Sequence, residues 1–294
     1  MNRGSATGSV RARRSPTARA RGAWRRGAAA LLLPLLAGCI SEAREQEIGD
    51  QVAIHLNAQL PLVKDPVVNT YVNRLGNLIA RGSERPDVPY RFYVVNSPTV
   101  NAFAIPGGHV YINRGLIQRT RNVSELSAVL AHEIGHVAAR HGARTLERRL
   151  RTGSVASLMY RVILGHEPSI LDQTALQLGP TLWTASHSRE AELEADRLAI
   201  PYLIRAGVDP QGIETFLTQL LREEAGSVDQ PTMEWFSTHP MTSDRIARAR
   251  TEIARDRPAP PRPLARNIPS YPEFLQRVRD LPTPLLLPHA VPVP

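Results

Sequence analysis

Cysteine is nearly absent. Cys39 is the only one in 294 residues, so no disulfide can form within the chain. Acidic residues are missing from the first 38 positions, which hold eight arginines: Arg3, Arg11, Arg13, Arg14, Arg19, Arg21, Arg25 and Arg26. Aromatic residues amount to 5% and are not interleaved with basic ones, which argues against a nucleic-acid surface. Long apolar runs are also lacking. The stretch from Ala28 to Ala37 is about ten residues, half of what a permanent membrane crossing needs. No internal repeats are evident.

A basic segment, a short apolar run and small residues before Cys39 describe a bacterial export signal over 1–38. Leu36-Ala37-Gly38-Cys39 resembles a lipobox, after which the new N-terminal cysteine receives lipids and ties the protein to a membrane. Ile40 in place of aspartate favours the outer membrane, with the protein on the periplasmic side. The net charge of +9 falls to 9 − 8 = +1 without the eight leader arginines. About 256 residues then remain, enough for one sizeable domain.

His132-Glu133-Ile134-Gly135-His136 is the centre of the reading. Histidines four apart stand one above the other on a helix, so two imidazoles can reach one metal ion. Glu133, about 100° round the helix, can take a proton from a water at that metal. Asn122 with Glu125 reads as a capping box, and Gly142 as a C-terminal stop. Leu126, Leu130, Ile134 and Val137 fall between about 120° and 200° from His132, so the histidines lie off the core face. Gly135 and Ala139 beside them allow another backbone to approach closely. On the same helix His141 falls about 180° from His132, and it is expected to meet terminal carbonyls.

A catalytic zinc takes three protein ligands and keeps a fourth position for water. The segment from Ser188 to Leu203 offers several acids. With Glu192 at zero, Ala195, Asp196, Ala199 and Leu203 lie within about 60°, whereas Glu190, Glu194, Arg197 and Pro201 lie opposite. The second group reads as a solvated charged face. Carboxylates among alanine and leucine need a partner, which makes Glu192 the third ligand and Asp196 the acceptor that orients a ligand histidine.

These stretches together resemble the gluzincin family of zinc metallopeptidases, which includes the CAAX prenyl endopeptidases and bacterial periplasmic quality-control proteases. Ser188, Arg189, Glu192, Ala195 and Asp196 match its S-R-x-x-E-x-x-A-D pattern. Asn101 to Gly108 is similar to its N-A-F-A-x-P-G-G hairpin, and Thr238-His239-Pro240 with Arg245 to its T-H-P…R motif. The resemblance implies one zinc per chain on His132, His136 and Glu192, with Glu133 as base. It also implies that His239 can approach the zinc and displace the catalytic water. Arg245 is a lesser candidate for stabilising the oxyanion. The chain ends soon after Arg255, which fits a stand-alone lipoprotein protease without the repeat domain of some members.

The expected fold is a mostly helical α+β domain of zincin type over 39–256, with a small antiparallel sheet. Helices are expected over Ser41–Leu60, from Asp65-Pro66, over Ser154–Leu164 and from Asp209-Pro210. Strands are expected at Arg91–Val95, Ala102–Ile105 and His109–Ile112. The tail over 257–294 holds eleven of the 25 prolines and reads as extended, with a short helix near Tyr271 to Leu281. The function expected is endopeptidase cleavage of unfolded or misfolded envelope proteins, with substrate added as a strand along Asn101 to Ile105. The rival is an assembly or binding lipoprotein with a structural or latent zinc.

Overall fold

The computed structural model describes residues 40–151, 186–225, 233–240, 243–256 and 263–283. Cys39, the export segment and the helix expected over Ser154–Leu164 lie outside the described residues. So do 257–262 and 284–294 of the expected tail.

Three short strands separate two apolar layers. They are β1 (Arg91–Val95), β2 (Ala102–Ile105) and β3 (His109–Asn113), in the order β1-β3-β2. Alternate side chains point to opposite faces. Phe92, Val94, Ala102, Val110 and Ile112 enter the larger core, and Val95, Phe103, Ile105 and Tyr111 the smaller one. The sheet is mixed, which corrects the antiparallel expectation. β2 and β3 form the hairpin, with Ala102 opposite Ile112, but β1 runs parallel to β3, with Arg91 beside His109. β2 lies at the edge, so the 96–108 connection supplies the crossover that a parallel pair requires. Gly107 and Gly108 turn the hairpin at φ +83° and +89°, where a side chain would be strained.

Helix α1 (Glu42–Gln59) covers the smaller core with Ile48, Val52 and Leu56. Helix α2 (Pro66–Ala80) lines the larger one with Val68, Val72 and Ile79, and the Asp65 side chain caps it by accepting from the Val67 and Val68 N–H groups. A short helix, α3 (Arg114–Arg119), follows β3.

Helix α4 (Val123–Ala138) runs through the middle and is buried from Val123 to Val137. Asn122 caps it by accepting from the Glu125 N–H. The Glu125 carboxylate does not return the bond; it accepts from the backbone N–H of Arg121 instead. The stop expected at Gly142 lies two residues earlier. Arg140 takes the left-handed conformation at φ +57°, and α5 (His141–Arg151) starts immediately, so Gly142 is helical. Arg140 holds this conformation with its side chain fixed: Nε donates to Oε2 of the buried Glu45 at 2.7 Å, and Nη2 to the carbonyl of Ile40.

Helices α6 (Arg189–Arg205) and α7 (Gln211–Ala225) pack on α4, followed by α8 (Met233–Thr238) and α9 (Ser243–Arg255). Gly135 sets the α4–α6 separation: a Cβ there would stand 3.0 Å from the Ala195 carbonyl oxygen. Helix α10 (Ser270–Arg279) confirms the short helix near Tyr271 but is no loose tail. Tyr271, Phe274, Leu275 and Val278 are buried, and Phe274 stacks on Tyr71 at 4.0 Å. The domain expected to close at 256 therefore takes in part of that tail. Among the described residues no helix is long and apolar enough to cross a membrane.

Gly135→Ala is predicted to force α4 and α6 apart by a few tenths of an ångström and to cost roughly 1–3 kcal/mol. Urea denaturation of both proteins measures it; an unchanged midpoint would show that the helices are free to shift.

Candidate metal centre

α4 and α6 bring the predicted ligands together. His132 Nε2 lies 3.0 Å from His136 Nε2 and 3.5 Å from Glu192 Oε2, and His136 Nε2 lies 3.3 Å from Glu192 Oε1. Four zinc ligands at about 2.0–2.1 Å in a tetrahedron are separated by about 3.3 Å, so these three side chains already outline one face. His239, after α8, completes the group: one ligand atom from each of His132, His136, Glu192 and His239 lies within 4.8 Å of the others. All four residues are buried.

Buried polar groups that make no hydrogen bond mark the same spot. Both oxygens of Glu133, both of Glu192 and Nε2 of His239 are buried and accept or donate no hydrogen bond. Charge points the same way. Glu133, Glu192 and Asp196 are three buried carboxylates against one buried guanidinium, Arg245. With the histidines neutral, as metal ligands must be, the two negative charges left over equal the charge of one divalent cation. Two imidazoles and one carboxylate, with a third imidazole within reach, suit zinc.

Asp196 stands where expected, with Oδ1 2.8 Å from His132 Nδ1. The carboxylate accepts, so His132 carries hydrogen on Nδ1 and presents Nε2 to the centre. Burial would lower the His132 pKa, but Asp196 and Glu192 outweigh it and raise it to about 10. Burial and the neighbouring His132 charge bring His136 down to about 4 in spite of Glu192. Burial opposes ionisation of Glu133, yet His239, His136 and His132 hold its pKa below the usual value. Burial likewise opposes ionisation of Asp196, and Arg245 and His132 bring it down to about 2.

Arg245 has a different place from the one expected. Its Nε donates to Asp196 Oδ2 at 2.7 Å and Nη2 to Asp196 Oδ1 at 2.9 Å, while Nη1 lies 2.7 Å from Glu192 Oε2. A guanidinium committed to two carboxylates braces them and is not available to an oxyanion. Glu133 and His239 face each other, with Oε1 3.3 Å from Nε2. Thr238 Oγ1 lies 2.9 Å from His239 Nδ1, and Trp235 stacks on the ring at 4.2 Å. The cavity beside His132, Asp196 and Trp235 measures only about 20 Å³.

Three residues at the centre escaped the sequence reading. His141 Nδ1 lies 2.8 Å from His136 Nδ1, its Nε2 lies 3.1 Å from Glu194 Oε2, and the His187 ring stacks on His136 at 3.9 Å. The angle assigned to His141 assumed an unbroken helix, and the left-handed Arg140 turns it back toward His136. Glu194, read as purely solvated, faces α5. Nothing in the sequence signals His187.

Residues 66–253 match Peptidase family M48, and the chain belongs to that family of metallopeptidases. Among curated relatives, the Beta-barrel assembly-enhancing protease of Escherichia coli (strain K12) is 33% identical over 225 residues, 74% of this chain and 46% of that protein. The Yersinia pestis protein of the same name is 34% identical over 229 residues, 75% of this chain and 46% of its own length. The chain thus spans about half the length of these relatives. Metalloprotease LoiP of Escherichia coli (strain K12) is 28% identical over 221 residues, 74% of this chain and 83% of that protein.

Zinc binding is predicted to release about one proton per ion at neutral pH, because the metal takes the place of the Nε2 proton that Asp196 and Glu192 stabilise on His132. Calorimetric titration in buffers of different ionisation enthalpy counts it. No proton release would mean that His132 is already neutral there.

Proposed function

We propose that this chain is a zinc-dependent endopeptidase of the bacterial envelope, held by lipid at Cys39 and acting on misfolded or stalled envelope proteins. The observation that carries the reading is the face outlined by His132, His136 and Glu192, with the buried Glu133 accepting no hydrogen bond beside it. Zinc bound there supplies Lewis acidity, which brings the proton of a water within reach of a carboxylate near neutral pH and polarises a peptide carbonyl. Glu133 takes that proton and delivers it to the leaving amine. Asp196, braced by Arg245, keeps His132 aimed at the centre. β2, at the sheet edge, is suited to receive substrate as an added strand, with main-chain bonds giving weak sequence preference. Similarity to proteins named Beta-barrel assembly-enhancing protease supports envelope proteins as substrates, and Leu36-Ala37-Gly38-Cys39 followed by Ile40 supports a periplasmic, outer-membrane location.

The resting site in this reading is latent. His239 stands against Glu133, with Nε2 3.3 Å from Oε1, so in this reading it must withdraw before water and substrate enter. The same closure favours a second reading, an assembly or binding lipoprotein whose zinc is structural.

Cleavage of an unfolded envelope protein separates them. Glu133→Gln is predicted to lower turnover by about 10²–10⁴-fold with zinc retained, and His239→Ala to raise it. Activity surviving in Glu133→Gln would remove the mechanism. Zinc-loaded wild type and His239→Ala that both fail to cleave would favour the assembly reading.

A further inference from the structure

His136 differs from His132 in having no carboxylate on its second ring nitrogen. Its Nδ1 meets Nδ1 of His141 at 2.8 Å, and Nε2 of His141 meets Oε2 of Glu194 on α6 at 3.1 Å. An ionised carboxylate only accepts, so the hydrogen of the second bond sits on His141 Nε2. The neutral His141 ring then has a bare Nδ1, and the hydrogen between the two Nδ1 atoms belongs to His136. His136 is left with Nε2 bare, 3.0 Å from His132 Nε2 and 3.3 Å from Glu192 Oε1. That is the tautomer a metal ligand needs.

We propose that His141, held by Glu194, is a positioning residue that fixes the tautomer and ring orientation of His136 toward the zinc. The inference rests on His136 being a zinc ligand. Its geometric support comes from three helices. The His141 side chain is 5% exposed, with its ring edge-on to His136 at 4.9 Å and 68°. Its backbone follows Arg140, whose left-handed conformation is secured by Glu45 of α1. A non-glycine residue persists in that conformation where its surroundings over-determine it. Arg144 also faces Glu194, with Nη1 3.6 Å from Oε2, so this carboxylate is oriented in turn. His132 is aimed by Asp196 directly, and His136 is aimed by Glu194 through an intervening ring.

The test is zinc affinity of the full chain by competition with a chromophoric chelator, using wild type, His141→Ala, His141→Gln, Glu194→Gln and the His141→Ala/Glu194→Gln pair. His141→Ala is expected to weaken zinc binding about 10–100-fold. His141→Gln, whose amide oxygen can accept from His136, recovers part of the loss. Glu194→Gln has a smaller effect and adds nothing in the His141→Ala background. A merely structural role would lower the melting temperature of the zinc-free protein and leave affinity intact. Wild-type affinity in His141→Ala, or full additivity with Glu194→Gln, overturns the proposal. Should His141→Ala not fold, Glu194→Gln decides alone, since its carboxylate is 38% exposed, and unchanged affinity there overturns it. Failure of the wild type to bind zinc would instead sink the metal-site reading itself.

Discussion

The close approach of α4 to α6 at Gly135 governs the site. Without a side chain at that position, the backbone at Ala195 comes near enough for Glu192 to reach both imidazoles of α4. A wider gap would leave two histidines and a carboxylate each buried without the others, a costly arrangement. Fold and centre are therefore coupled through one contact. The two helices are packed at the separation at which the imidazoles and the carboxylate meet, and that meeting in turn favours the separation.

Electrostatics gives the centre its character. Three carboxylates sit where water is excluded, and Arg245 compensates only one of them. Such an excess is tolerated where a divalent cation belongs, and it explains why Arg245 turns inward to Glu192 and Asp196. Breaking a buried pair of this kind leaves an uncompensated charge, usually at a cost of about 3–5 kcal/mol. The aromatic wall of Trp235 and the ring of His239 close the remaining side. The site is thus assembled, with His239 against Glu133.

Much of this was legible because helical periodicity is a local property. The spacing of His132 and His136, and the common face of Glu192 and Asp196, follow from about 100° per residue and from which neighbours are apolar. The hairpin glycines and the Asp65 cap are equally local. Periodicity misleads where a single backbone angle intervenes. Arg140 carries no glycine-like signal, so the turn that redirects His141 was invisible, and the stop was placed at Gly142. The parallel pairing of β1 with β3 was hidden for a related reason: alternation gives the faces of a strand but not its neighbour or direction.

Local helix geometry is enough to say which side chains share a face: two imidazoles and a carboxylate on one helix, and two carboxylates one turn apart on another. Those relations need only the geometry of one helix at a time. Tertiary structure alone decided the rest: that Arg245 braces acids, that Glu194 reaches His136 through His141, that His239 stands against Glu133, and that α10 belongs to the core. Each joins residues far apart in the chain, and such meetings depend on how helices pack, which no single segment encodes.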